Sequence, residues 1–217
     1  MSLPHRPLEG RIVNLSISES DDSAQRGFPT WQVNRVILQL VAALFGQGAS
    51  VVFGHDWRED GVMEAVYGFA RRVQAPIPLS PSRSAAEAQP LLKNLLPWPD
   101  KPRLSEQELE QLSSTLRVES AGLPTELQAF DEQARHSGPN SRLYQYIRAR
   151  GLTFLRHRLN VACHVRLCVG GRRSGFAGRY PGVIEEALLA VTGTKPLYLA
   201  SFLGGATEQV VDAIEGK

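Results

Sequence analysis

The sequence predicts an α/β fold: a three-layer domain in which helices flank a mostly parallel central sheet. Three observations point to it. Residues 11–73 run through strand, helix, strand and helix patterns in succession, and parallel strands require such crossovers. Residues 49–53 (Ala-Ser-Val-Val-Phe) form the short, nearly continuous apolar run of a strand buried on both faces. Lastly, a turn rich in glycine and arginine, residues 170–182, joins an alternating apolar stretch to a helical pattern. At 217 residues the chain can build one substantial core and is short for two. One domain over residues 1–217 is therefore expected, with an elaborated middle segment over 75–162.

Taken in order, Arg11 to Ile17 alternates and is β-branched, so it reads as a strand ending in the polar loop Ser18-Glu19-Ser20-Asp21-Asp22. Residues 31–45 carry apolar side chains at helical spacing, with Thr30 as the expected N-cap and Gly46 or Gly48 as the stop. The strand at 49–53 closes with Gly54-His55-Asp56, and a second helix is expected over 61–73. Residues 75–103 are rich in proline, serine and alanine, with one short strand expected around 91–96 before the Pro97-Trp98-Pro99 turn. Ser105-Glu106-Gln107-Glu108 is a capping box, so a helix is expected over 104–116, followed by another over 123–135. A long basic amphipathic helix covers 141–161, with an interruption conceivable at Gly151. Strand returns at 164–169, then helix over 181–191, strand over 196–200 and helix over 204–214.

Composition narrows the partners. The formal charge is +2, from 24 basic and 22 acidic residues, so no global field favours nucleic acid or an anionic surface. Arg142, Arg148, Arg150, Arg156 and Arg158 lie on the long helix, where a solvent-facing position is the expectation and nucleic-acid binding the lesser one. Cys163 and Cys168 lack CxxC spacing, and opposite parity on a strand separates them, so free buried thiols are expected. The N-terminal residues show no signal-peptide pattern, and the longest apolar stretch, residues 36–45, is about half a membrane span. A cytoplasmic protein with no membrane partner is the expectation.

Open parallel sheets bind ligands beyond the C-terminal ends of their strands. In the expected order, the loops there are 18–22, 54–58, 170–182 and 201–207. The third holds Gly170, Gly171, Arg172, Arg173, Ser174, Arg179 and Gly182. Glycine lets backbone approach a phosphate, arginine offers a planar fork of donors, and the helix that follows presents its positive end. The fourth repeats the logic with Gly204, Gly205 and Thr207, so two phosphates, or a phosphate and a ribose, could be held. Glu185 and Glu186 lie in the first turn of the helix after the third loop; one of them is expected to face the ligand. Ser18, Glu19 and Ser20 suit a ribose or a base edge, while Gly54, His55, Asp56, Trp57 and Arg58 offer a ring for stacking, a cation and a candidate base. GxSxG, Walker A and HExxH motifs are missing from the sequence, and neither a metal nor a tightly held cofactor is expected beyond the nucleotide ligand.

The segment Gly178-Arg179-Tyr180-Pro181-Gly182-Val183-Ile184-Glu185-Glu186 resembles the PGGxGTxxE phosphate-binding signature of the Lonely Guy proteins. Together with Ser-Glu-Ser after the first strand, Gly-His-Asp after the second and Gly-Gly-Arg-Arg-Ser-Gly after the later one, the chain is similar to the SLOG superfamily. These Rossmann-like domains include Lonely Guy and DprA-related proteins and nucleotide-sensing domains of channels and bacterial conflict systems. The resemblance covers residues 11–72 and 164–214. It places Gly182 on the family's glycine, Val183 on its threonine and Glu186 on its acidic residue, while Arg179 and Tyr180 replace paired glycines. In Lonely Guy enzymes that glutamate and an arginine are implicated in cleaving a base from a nucleoside 5′-monophosphate.

The resemblance therefore implies a nucleotide-binding sensor domain, with an NAD-derived ligand such as ADP-ribose or cyclic ADP-ribose as the leading expectation. The alternative is a phosphoribohydrolase in which Glu186 is catalytic. A DprA-like nucleic-acid binder using the basic helix comes third. A homo-oligomer is expected, and a sensor would need a partner effector chain. A pyridoxal phosphate enzyme is disfavoured, because Lys195 lies at the wrong end of its strand for a Schiff base.

Overall fold

Strand β1 (Ile12–Ser18) alternates two kinds of side chain, and the architecture follows that alternation. Val13, Leu15 and Ile17 point to one face and Asn14 and Ser16 to the other, and all five are buried. The structure is a computed structural model that describes residues 6–54, 57, 61–73 and 90–217. In it β1 pairs on both sides. The other strands are β2 (Ser50–Phe53), β3 (Leu92–Leu96), β4 (Leu116–Ser120), β5 (Val165–Gly170) and β6 (Leu197–Ala200). They form one all-parallel sheet of order β4-β3-β2-β1-β5-β6.

On the apolar face, Leu15, Ile17 and Phe53 meet Val33, Ile37 and Val41 of α1 (Thr30–Gly46) and Met63 and Val66 of α2 (Val62–Val73). Each such side chain contributes about 1.5–3 kcal/mol on burial. Across the sheet, α5 (Arg142–Ala162) lays Leu155 and Leu159 on Val52 and Leu95. Beside it, α6 (Gly182–Thr192) and α7 (Gly205–Glu215) bring Val183, Ala187 and Ala206 onto Cys168. The second face is thus only partly hydrocarbon. Among the described residues no helix is long and apolar enough to cross a membrane.

Several expectations change. Pro29, not Thr30, is the N-cap of α1, and Thr30 is its first helical residue, with no side-chain cap bond. The capping box is present, Ser105 and Glu108 bonding each other's backbone, yet α3 (Glu106–Gln111) is shorter than expected. It stops because buried Leu112 and Leu116 must both reach the core: Leu116 N–H bonds back to the Leu112 carbonyl, and Leu116–Ser120 becomes the edge strand β4. The expected helix over 123–135 is a 3₁₀ turn, Thr125–Phe130, followed by α4 (Asp131–Ser137). Helix α5 is uninterrupted at Gly151, where an added Cβ would stand 3.3 Å from Leu123 and 3.4 Å from Trp98. The middle segment therefore supplies two strands of the common sheet.

Cys163 caps α5 instead of sitting on the strand, so strand parity does not separate it from Cys168; both are free and buried. Burial pushes both thiols up, Cys168 to about 12 with the neighbouring Glu186 charge adding to the effect. Because the thiolate is the reactive form, neither should react with a disulfide reagent at pH 8 in the native protein. Two equivalents should react once guanidinium unfolds the chain, and a fast native equivalent would contradict this packing.

Candidate functional site

The chain reverses direction at β1: β2 follows on one side, while β5, whose Arg166 lies 150 residues beyond Ser16, pairs on the other. Loops leaving β1 and β5 diverge, and the gap between them is where open α/β sheets take ligands. A cavity of about 180 Å³ lies there. Its floor is Ser16, Ser18 and Glu186, its walls are Arg156, Gly54 and the first residues of α6, and Arg172 and Phe176 stand at its mouth.

Beneath it the sheet is charged. In the parallel register Asn14 pairs with Arg166 and Ser16 with Cys168, so all four project to one face. Asn14 is oriented by donating to the Val52 carbonyl at 3.0 Å, which turns its oxygen toward Ser16 Oγ, also at 3.0 Å. Arg166 is fully buried; its Nη1 donates to Ser16 Oγ at 3.1 Å and to Glu186 Oε2, which also receives a hydrogen bond from Ser16. The other oxygen, Glu186 Oε1, lies 3.8 Å from Arg156 Nε. The adjacent Glu185 accepts from Arg156 Nη1 and from Thr153 at 2.7 Å. Two guanidinium groups thus neutralise two carboxylates under the crevice. Arg172 and the first N–H groups of α6, which have no intrahelical acceptors, remain to attract an anion.

Of the expected site residues, Ser18, Gly54, Arg172, Gly182 and Glu186 line this cavity. Gly182 is required there, since a Cβ would stand 2.9 Å from the Arg156 guanidinium. The remaining loop residues sit elsewhere. Gly170 and Gly171, both with positive φ, do not present their backbone to a phosphate: the Gly171 N–H donates to the Ser18 carbonyl and its own carbonyl accepts from Ala206. Gly204, Gly205 and Thr207 are buried behind them, Thr207 donating to the Gly170 carbonyl at 2.8 Å, so the fourth loop is a packing device instead of a second anion site. Ser20 is buried, bonded to Asp22 and the Leu203 carbonyl. Arg173 turns away to Asp21 and Asp22, joining Arg26, which bridges Asp22 and Glu208 in a clasp over the loops. Burial raises the Asp22 carboxyl, but hydrogen bonds from Ser20 and Arg26 outweigh it and hold the group below its ordinary range.

Glu19 is half-buried beside Ser18, Ser174 is exposed, and Arg179 stacks over the Tyr180 ring at the rim. His55, Asp56 and Arg58 lie outside the described residues. The site also includes residues not anticipated: Ser16, Thr153, Arg156, Arg166 and Phe176. The expectation that Arg156 faces solvent is corrected, while Arg148 and Arg150 pair with Asp100 and Glu126 nearer the surface and Arg158 donates to the Ser120 and Ala121 carbonyls.

A family model described as SLOG cluster2 matches residues 7–217. The chain belongs to this family. No curated protein and no solved structure matches it. The match runs from before β1 to the end of the chain, so the middle segment, without a quotable motif, belongs to the SLOG domain as fully as the crevice does. A nucleotide-binding, Rossmann-like domain is what this membership supports. The geometry also explains one departure from the Lonely Guy signature: Val183, in place of threonine, packs into the Cys168, Ala187 and Ala206 cluster and against Gly171.

Removing one partner of the Arg156–Glu185 pair strands a buried charge. Arg156→Ala should therefore cost about 3–5 kcal/mol of unfolding free energy in a denaturant titration. Replacing both residues, Arg156→Met with Glu185→Leu, should restore most of it. Equal losses in the single and double variants would show that the pair is not the cause.

Proposed function

We propose that the crevice binds a phosphorylated ribonucleotide and that this SLOG domain recognises it without cleaving it, as a sensor module. The observation that carries this reading is the state of the carboxylates: Glu185 and Glu186 are both held by arginines. A neutralised carboxylate has little charge left to stabilise a developing oxocarbenium ion. It still accepts hydrogen bonds from ribose hydroxyls. In the bound state Arg172 and the first N–H groups of α6 hold the phosphate, Glu186 Oε1 and Ser18 meet the ribose, and Phe176 stacks on the base.

An NAD-derived ligand, ADP-ribose or cyclic ADP-ribose, is the preferred occupant. The reading draws on Arg179 and Tyr180, which stack on each other in the same loop as Arg172 and would offer a second cation and a ring to the further phosphate and ribose of such a ligand.

Calorimetry with ADP-ribose, cyclic ADP-ribose, NAD, AMP and cyclic nucleotides tests this. At least one should bind more tightly than about millimolar. Arg172→Ala should weaken it by about 10- to 100-fold, the worth of a charge-assisted contact. Failure of the whole panel sinks the proposal.

A second reading draws on Arg156 standing beside Glu186 of α6. An arginine and this glutamate are the pair implicated in the Lonely Guy phosphoribohydrolases, so Glu186 would be catalytic and a nucleoside 5′-monophosphate the substrate. Chromatography of purine and pyrimidine monophosphates incubated with the protein decides it. Release of free base, lost in Glu186→Gln, favours cleavage; no release with intact binding favours the sensor.

A further inference from the structure

Arg166 is the oddest residue in the sheet. It sits on an interior strand, between β1 and β6, with no exposed surface, and its Nε and Nη2 have no hydrogen-bond partner among the described residues. Its one engaged nitrogen, Nη1, serves Ser16 and Glu186. A buried guanidinium with two unsatisfied donors is a poor device for stability, since an apolar side chain would fill the space without the desolvation cost. What the arrangement does achieve is geometric. It holds Glu186 Oε2 against the sheet beside Ser16, and it does so from outside the cavity lining, to which Glu186 itself belongs.

We infer that Arg166, with Ser16, is the positioning residue that makes Glu186 a reader of the ribose diol, so that the crevice selects ligands with an unmodified 2′-hydroxyl. This rests on the nucleotide reading above. Oε1 accepts a hydrogen bond from the hydroxyl. A 2′-deoxy ligand leaves that acceptor unmatched, and a 2′-phosphate brings a second anion against Glu186, so both are disfavoured. Without Arg166, Glu186 keeps only Ser16 and the longer contact to Arg156, so its carboxylate is held less firmly and the preference falls while the phosphate contacts at Arg172 and α6 persist.

The test compares ADP-ribose and AMP with their 2′-deoxy counterparts by calorimetry, on wild-type protein, Arg166→Met and Ser16→Ala, with circular dichroism melts confirming that each variant is folded. Wild type should prefer the ribo ligand by about tenfold or more. In Arg166→Met the ratio should fall to about twofold or less with affinity for the deoxy ligand unchanged, and in Ser16→Ala, whose hydroxyl also lines the cavity, the readout is the ratio alone, which should fall in the same way; a merely structural role would lower both affinities together and leave the ratio at its wild-type value. Ser16→Ala leaves the buried cation in place, so it carries the test if Arg166→Met does not fold. A wild-type preference that survives in the folded variants overturns the role of Arg166 and leaves nucleotide binding intact. Equal affinity of the wild type for ribo and deoxy ligands overturns it too. No binding of any ligand by the wild type removes the nucleotide reading and this inference with it.

Discussion

The pairing of β1 with β5 joins segments about 150 residues apart, and its register decides what stands next to what at the crevice. Asn14 opposite Arg166 and Ser18 opposite Gly170 place the polar half of one strand against the cation of the next, with both strand ends opening at one point. A slip of one residue would carry Arg166 to the apolar face, into Leu15, Ile17 and Phe53, and would turn Glu186 away from its partners. The register is held from both sides. The Gly171 N–H bonds to the Ser18 carbonyl at one end of the pair and the His164 N–H to the Ile12 carbonyl at the other.

This gives the sheet two unlike surfaces. Toward α1 and α2 it is closely packed hydrocarbon, and toward α5 and α6 it carries the Asn14 amide, the Ser16 hydroxyl and the Arg166 guanidinium, which the helices meet with the Arg156 guanidinium and the carboxylates of Glu185 and Glu186. Burying that many polar groups is a weak way to gain stability. Its value lies in direction: each donor is aimed by a neighbour, from the Val52 carbonyl through Asn14 and Ser16 to Glu186. A site for a sugar with several hydroxyls needs acceptors at defined places more than it needs net charge, and the balanced floor leaves net charge to Arg172 and the start of α6. Labour is thus divided between an oriented floor and a cationic mouth.

Much of this was legible in the sequence. The strand and helix order, the parallel sheet, the turn at 170–182 and the place of Glu186 all follow from periodicity, glycine spacing and the family signature. β4 escaped because Leu116-Arg117-Val118-Glu119-Ser120 is an edge strand with a single well-buried side chain, and its charges pair along the edge, Lys93 with Glu119 and Arg117 with Glu119. Arg156 was hidden among four other arginines on one helix, and only tertiary contact distinguishes it from those nearer solvent. Arg166 did leave a signal: a cation at an inward position of an apolar strand, matched in parity by Asn14 and Ser16 on the partner strand. The second glycine pair misled, because glycine that admits a phosphate and glycine that admits a neighbouring loop look alike in sequence. Thr207 and Ser20 are buried by that neighbouring loop.

The clasp of Arg26, Asp22, Arg173 and Glu208 differs from the floor in one further respect. Its charges lie at the surface, with the arginine side chains 36% and 38% exposed, so mobile ions reach them. At physiological ionic strength attraction between such groups is screened over about 8 Å, whereas the buried pairs of Arg156 and Arg166 are shielded from added salt. Ionic strength therefore acts on the two parts separately: it loosens the strap across the loops and leaves the arrangement of acceptors beneath unchanged. Added salt is a lever on the clasp alone.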